Sequence, residues 1–293
     1  MSRTGGQLSP VDPDRVDRFI GRLPRRLRWA AGVVRLTVRE PADGVDRVLT
    51  RARTLVARES QHHHYAIDHD WQPGIHEQLG LEWPCAACGH FEQLWPQIVE
   101  YVRAQGVSLG RGTYGGWDDA DPGFARAVWC LVIHTAPAKV VETGVARGVT
   151  SRVILEAFER TGAGHLWSID LPAMDPSLHR EIGLAVPEAL RRRWTYVAGT
   201  SRRRLPGLLD RVGPIDFFVH DSSHTERNVR FELHHAWRGM KRGAIVVDDV
   251  EKSNAFAAFA VKLPKGAWYV AEADDASAQF AIALKSAGVV PSR

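Results

Sequence analysis

From Ala138 onward the chain alternates short apolar runs with segments of helical length. KVVETGV, HLWSIDL, WTYVAG, IDFFVHD and GAIVVDD are the runs; TSRVILEAFERTG, a Pro-punctuated helical region, SRRRLPGLLDRVG and a helix from about Thr225 to Met240 lie between them. No other feature constrains the fold as strongly, because strand, helix and strand in series imply right-handed crossovers and a parallel sheet covered on both faces. After a further helix around Asn254–Val261, WYVAEAD and QFAIALKS are separated only by a short acidic turn, which predicts a hairpin and one antiparallel strand at the end. The expected class is α/β: a doubly wound sheet of seven strands, the last antiparallel, preceded by a mainly helical N-terminal region.

The strand ends carry acids. Glu142 closes the first run, Asp170 the second, Asp221 the fourth, and Asp248 with Asp249 the fifth. In an open parallel sheet ligands collect beyond the carboxyl ends of the strands, so four runs aim carboxylates at one edge. The adjacent pair in IVVDDVE is the sharpest case. Two neighbouring carboxylates behind a buried strand raise one another's pKa unless a cation or donor array lies between them.

The first strand leads into ETGVARGVTS, where Gly144 and Gly148 permit a tight turn and close approach of a ligand to the backbone. Gly-rich turns of this kind also serve nicotinamide oxidoreductases, but the spacing is not G-x-G-x-x-G. Asp170 stands where such folds place an acid on ribose hydroxyls. The bland alternative for either acid is helix capping.

In this order, ETGVARGVTS, SIDL, VAGTS, FFVHDSSH and IVVDD resemble the Rossmann-like class I S-adenosylmethionine-dependent methyltransferases. More narrowly they resemble the metal-dependent O-methyltransferase branch, which includes catechol and macrolide-sugar enzymes and the cephalosporin hydroxylase-like family. The resemblance covers roughly residues 120–293. It implies that Glu142, Gly144, Gly148 and Thr150 meet the methionine portion of the cofactor, with Ala146 in place of the motif's middle glycine. Asp170 and Leu171 match the ribose and adenine positions, and Gly199, Thr200 and Ser201 the segment against the adenine ring. Asp221, Asp248 and Asp249 match the metal ligands, 27 and 28 positions apart, and suit Mg²⁺ or another hard divalent ion. His224, three residues beyond Asp221, is the candidate general base, where catechol-type relatives carry lysine. The implied reaction is methyl transfer to a hydroxyl oxygen of a small phenolic or sugar-bearing molecule. A nicotinamide oxidoreductase and a noncatalytic binding module of the same fold are the alternatives.

The remaining signals are weaker. Cys85-Ala-Ala-Cys88 with His90 is half of a zinc pattern, which one of His62, His63 or His64 could complete; Cys130 reads as core. Tyr114 and Trp117 in GTYGGWDDADPG are candidates for a lid, and Arg202 to Arg204 for a solvated helix start. His220 is expected to pack beneath the site, and His234 and His235 to lie on a helix surface. Between 61 and 120 the pattern is irregular, which sets an N-terminal region of 1–105, a candidate substrate cap or oligomer contact, apart from a catalytic domain of 106–293. Residues 1–60 hold thirteen arginines against seven acids, yet the whole chain is only +4. Interleaved signs favour a solvated face over a nucleic-acid surface, and HDSSHT lacks the proline-rich element of base-directed methyltransferases. Three cysteines cannot form a disulfide framework, the start lacks a secretory pattern, and no apolar run approaches membrane-spanning length. The expectation is a cytoplasmic enzyme with a small-molecule partner.

Overall fold

The computed structural model describes Ile20 and residues 24–56 and 63–286. Its centre is a seven-stranded sheet: β1 (Lys139–Thr143), β2 (His165–Asp170), β3 (Trp194–Ala198), β4 (Ile215–His220), β5 (Met240–Val247), β6 (Trp268–Glu272) and β7 (Gln279–Lys285), in the order β3-β2-β1-β4-β5-β7-β6. β1 to β5 are parallel, and β7 runs antiparallel to both β5 and β6. The class expected from the alternation is the one observed. Phe217, Phe218, Val219 and His220 on β4, and Ala244 to Val247 on β5, are buried on both faces, as a strand flanked by helices requires.

The helices, in chain order, are α1 (Arg25–Arg39), α2 (Pro41–Val56), α3 (Trp71–Leu79), α4 (Ala86–Arg103), α5 (Pro122–Thr135), α6 (Val149–Thr161), α7 (Ser201–Val212), α8 (Glu226–Gly239) and α9 (Ala255–Ala260). Pro24 caps α1 and Pro41 opens α2, positions proline tolerates because a first turn leaves its N–H unpaired anyway. The region between β2 and β3 forms two 3₁₀ segments, Pro176–Glu181 and Glu188–Arg193, in place of a longer helix.

Residues 61–120 correct the sequence reading, because two helices lie there. Pro96 inside α4 obscures its pattern, yet Phe91, Leu94, Ile98 and Val102 recur at helical spacing and are all buried. They share one core with Val128, Leu131 and Val132 of α5 and with Val153 and Phe158 of α6.

α1 and α2 pack against the ends of β2 and β3. A side chain at Gly32 would place its Cβ 1.8 Å from the Met174 carbonyl oxygen, so only glycine permits this approach. Arg28 pairs with Asp175 at 2.9 Å. Asp43, almost fully buried, accepts from Thr200 Oγ1 at 3.0 Å and pairs with Arg203 at 3.1 Å. The arginines at the start of α7 are therefore not simply solvated: Arg203 and Arg204 both lie within ion-pair reach of Glu40. Among the described residues no helix is long and apolar enough to cross a membrane.

Candidate active site

Beyond the carboxyl ends of β1, β2, β4 and β5 lies a cavity of about 1050 Å³. Gly144, Val145, Ala146, Thr150, Asp170, Leu171, Gly199, Thr200 and Ser201 line one part; Asp221, His224, Asp248 and Asp249 line another. Trp29 and Arg47 reach it from α1 and α2. Two expected residues sit elsewhere. Glu142 and Gly148 lie behind the cavity wall, Glu142 fully buried with Ser151 and Ser168 hydroxyls donating to its Oε2 at 2.6 and 2.5 Å. Burial holds its carboxyl up at about 7, and its other oxygen has no hydrogen-bond partner.

The turn after β1 is built around close backbone contact. Gly144 has φ 88°, and a Cβ there would lie 1.7 Å from the Asp221 carbonyl oxygen. Asp170 Oδ2 accepts from the Val145 and Ala146 amides at 3.2 and 3.0 Å, so this acid shapes the turn as well as facing the cavity. Burial pushes its pKa up to about 6. Gly144→Ala is expected to lower stability by at least about 2 kcal/mol, from left-handed strain alone, with the overlap adding to it. A urea denaturation midpoint equal to wild type would contradict this geometry.

At the other end, Asp221, His224 and Asp248 each offer a ligand atom within 4.8 Å of the others. Both carboxyls, Asp221 and Asp248, are held well above the usual carboxylate range, first by burial and then by neighbouring carboxylates. Asp249 does not join this group. Its backbone is left-handed at φ 54°, and its carboxylate accepts from the Lys252 ammonium and lies 3.3 Å from His224 Nε2. His224 Nδ1 is buried with no hydrogen-bond partner. Burial pulls the ring's pKa down to about 4, so the imidazole is neutral at pH 7 with a lone pair to give.

Beneath these residues lies a polar hub for which the sequence reading had named only His220. Glu232, on the buried face of α8, accepts from His220 Nδ1 at 2.6 Å, Thr143 Oγ1 at 2.5 Å, Ser222 Oγ at 2.8 Å and Asn228 Nδ2 at 2.8 Å. Burial works to raise its pKa, but His220 and the donors prevail and hold it at about 2. The signal was present in the sequence: Glu232 falls in the helical stripe Val229, Leu233, Ala236. His234 is exposed and His235 half-buried, as expected of a helix surface.

The loop holding Tyr114 and Trp117 is a fixed wall. Arg147, nearly fully buried, donates to Asp119 at 2.5 Å, Glu181 at 2.8 Å, Thr113 Oγ1 at 2.9 Å and the Ser108 carbonyl at 3.0 Å, with its guanidinium over the Tyr114 ring. Charge-assisted bonds of this number immobilise a loop. Asp121 caps α5 through the Gly123 amide at 2.8 Å, while its Oδ2, buried and unpaired, belongs to a residue that lines the cavity.

The cysteine pattern resolves differently from expectation. His90, His63 and His64 are absent from the group that gathers Cys85; His63 bonds Asn254 at 2.9 Å, and His62 lies outside the described residues.

Residues 141–250 match the family model described as a methyltransferase domain. No curated protein matches the chain. Among solved structures, an O-methyltransferase from Bacillus cereus in complex with SAH is 13% identical, with 72% of this chain and 97% of that one covered and a TM-score of 0.46. The O-methyltransferase TomG from Streptomyces achromogenes, in complex with SAM, is 15% identical, with 66% and 89% covered and a TM-score of 0.44. That family match runs from within β1 to just beyond β5, the stretch whose strand ends bear Asp170, Asp221 and Asp248 on the cavity.

Proposed function

We propose that the protein transfers a methyl group from S-adenosylmethionine to a hydroxyl oxygen of a small phenolic or sugar-bearing molecule, with a divalent cation such as Mg²⁺ at the strand ends. The observation that carries this reading is the convergence of Asp221, His224 and Asp248, whose ligand atoms lie within 4.8 Å of one another and include two half-buried carboxyls that need either a shared proton or a cation between them. Their oxygen donors fit a hard divalent ion, and the cavity has room for a nucleoside cofactor beside a small acceptor.

When bound, the sulfonium cofactor supplies an electrophilic methyl group, and the cation supplies polarisation of the acceptor hydroxyl. The chain does the positioning. Asp170, Leu171 and the Gly199–Ser201 segment hold the nucleoside, and the Gly144–Ala146 backbone faces the amino-acid end. Asp221 and Asp248 hold the cation. His224 Nδ1 takes the hydroxyl proton, and Asp249 beside Nε2 stabilises the imidazolium that forms. Tyr114 and Trp117, on a loop clamped by Arg147, exclude water from the reacting atoms.

Calorimetry with S-adenosylhomocysteine, with and without EDTA, tests the cofactor. Binding is expected in both conditions, and its absence in both rejects the reading. His224→Ala is expected to lower kcat by about 10²- to 10⁴-fold with Mn²⁺ affinity retained; loss of Mn²⁺ binding would make His224 a ligand and not a base.

A further inference from the structure

A second cluster lies away from the cavity. His76 on α3, Cys85 immediately before α4, and Cys130 and His134 one turn apart on α5 each offer a ligand atom within 4.8 Å of the other three. None of the four lines the cavity. From Pro122, whose turn forms part of the cavity wall, α5 runs roughly 18 Å to His134 at its helical rise. We propose that these four side chains form a structural zinc site.

The hydrogen bonds orient the ligands. His76 Nδ1 lies 2.7 Å from the Gln72 carbonyl oxygen, which can only accept, so Nδ1 carries the proton and Nε2 presents a lone pair. A backbone carbonyl behind a histidine is the usual way a metal-binding tautomer is set. That Nε2 lies 3.2 Å from His134 Nε2 and 3.6 Å from Cys130 Sγ. A tetrahedral zinc ion has edges of about 3.3 Å between two imidazole nitrogens and about 3.6 Å between nitrogen and sulfur, given its bond lengths. The observed separations match both edges.

Without a cation the cluster is poorly satisfied. His134 Nε2 and Cys130 Sγ both crowd the one lone pair of His76 Nε2, which can accept from only one of them. A cation accepts lone pairs from all four groups at once. Cys85 stands at the N-cap of the 18-residue α4, whose N-terminal dipole favours negative sulfur.

Four protein ligands leave no open coordination position, which marks a structural rather than a catalytic site. The ion ties α3 and the start of α4 to α5. The tie complements the Trp129 Nε1 bond to the Ala87 carbonyl at 2.8 Å, which joins the same two helices. This makes the segment before residue 106 continuous with the catalytic unit and steadies the helix from which Asp121 and Phe124 reach the cavity.

The test is metal analysis of the full chain, purified without chelator or metal-affinity tag. About one zinc per chain is expected, and cobalt exchange should produce a sulfur-to-cobalt charge-transfer band with the strong visible bands of a tetrahedral ion. Cys130→Ser and His134→Ala should each lose the metal, while Asp248→Asn should retain it. Cys85→Ser, at a half-buried helix end, supplies the same reading if the α5 variants do not fold. A zinc-free chain that gives no thiolate–cobalt band overturns the proposal, as does full zinc retention in a Cys130→Ser/His134→Ala double variant.

Discussion

Asp248→Asn is expected to lower kcat for methyl transfer on the order of 10³-fold while leaving S-adenosylhomocysteine affinity within a few fold of wild type. The substitution keeps the shape of the side chain but removes one of the two charges proposed to hold the cation. Polarisation of the acceptor is worth several kcal/mol of transition-state stabilisation, hence the size of the effect. Cofactor affinity is insulated under the proposed reading, which assigns the nucleoside to Asp170, Leu171 and Gly199–Ser201, cavity residues at the ends of β2 and β3. Single-turnover rates, together with a Mn²⁺ titration of wild type and variant, check both halves. Wild-type activity that persists in EDTA, or an unchanged rate in the variant, would remove the cation from the mechanism.

Glu232→Ala is expected to lower stability by about 3–5 kcal/mol, the usual consequence of removing one partner from a buried charged network. Four donors converge on this carboxylate, and the variant would strand His220, Thr143, Ser222 and Asn228 in the interior. For a domain of this size the melting temperature should fall by roughly 10 °C. The pH dependence has a definite sign. Glu232 titrates at about 2 in the folded protein against an ordinary 4.5, so its contribution is present above pH 4.5 and is lost as pH falls toward 2. Glu142 acts in the opposite direction: with a folded pKa of about 7, it costs stability progressively as pH rises from about 4.5 to 7. Denaturation midpoints measured from pH 3 to pH 8 should therefore draw closer for wild type and Glu232→Ala toward the acid end, part of the difference persisting at pH 3. A constant difference across that range would show that Glu232 acts through packing alone.

How much of the site could be read in advance depended on where a residue stood in its element. Asp170, Asp221 and Asp248 were legible because they end apolar runs, and the end of a parallel strand has only one direction in which to present a side chain. Glu232 was not, because a glutamate among Arg230, His234 and His235 reads as helix surface until its neighbours at positions 229 and 233 are seen to be buried. Asp249 shows a different limit. Its neighbour Asp248 faces Asp221, whereas its own left-handed backbone carries it toward Lys252 and His224, and adjacency in sequence does not reveal that divergence. The cysteine pair pointed to a metal, but only Cys85 joins a ligand group, without Cys88, and its partners come from α3 and α5, not from the nearby histidines.

The order of strands and helices from Ala138 and the acids at the strand ends followed from local periodicity alone, because hydrophobic spacing acts over a few residues. Three things depended on the tertiary structure: the insertion of β7 between β5 and β6, the packing of α1 and α2 against Met174 and Thr200, and the meeting of His76 with Cys130. Each joins segments far apart in the chain, and which distant surfaces meet is settled by burial and shape complementarity summed over the whole core rather than by any stretch of sequence.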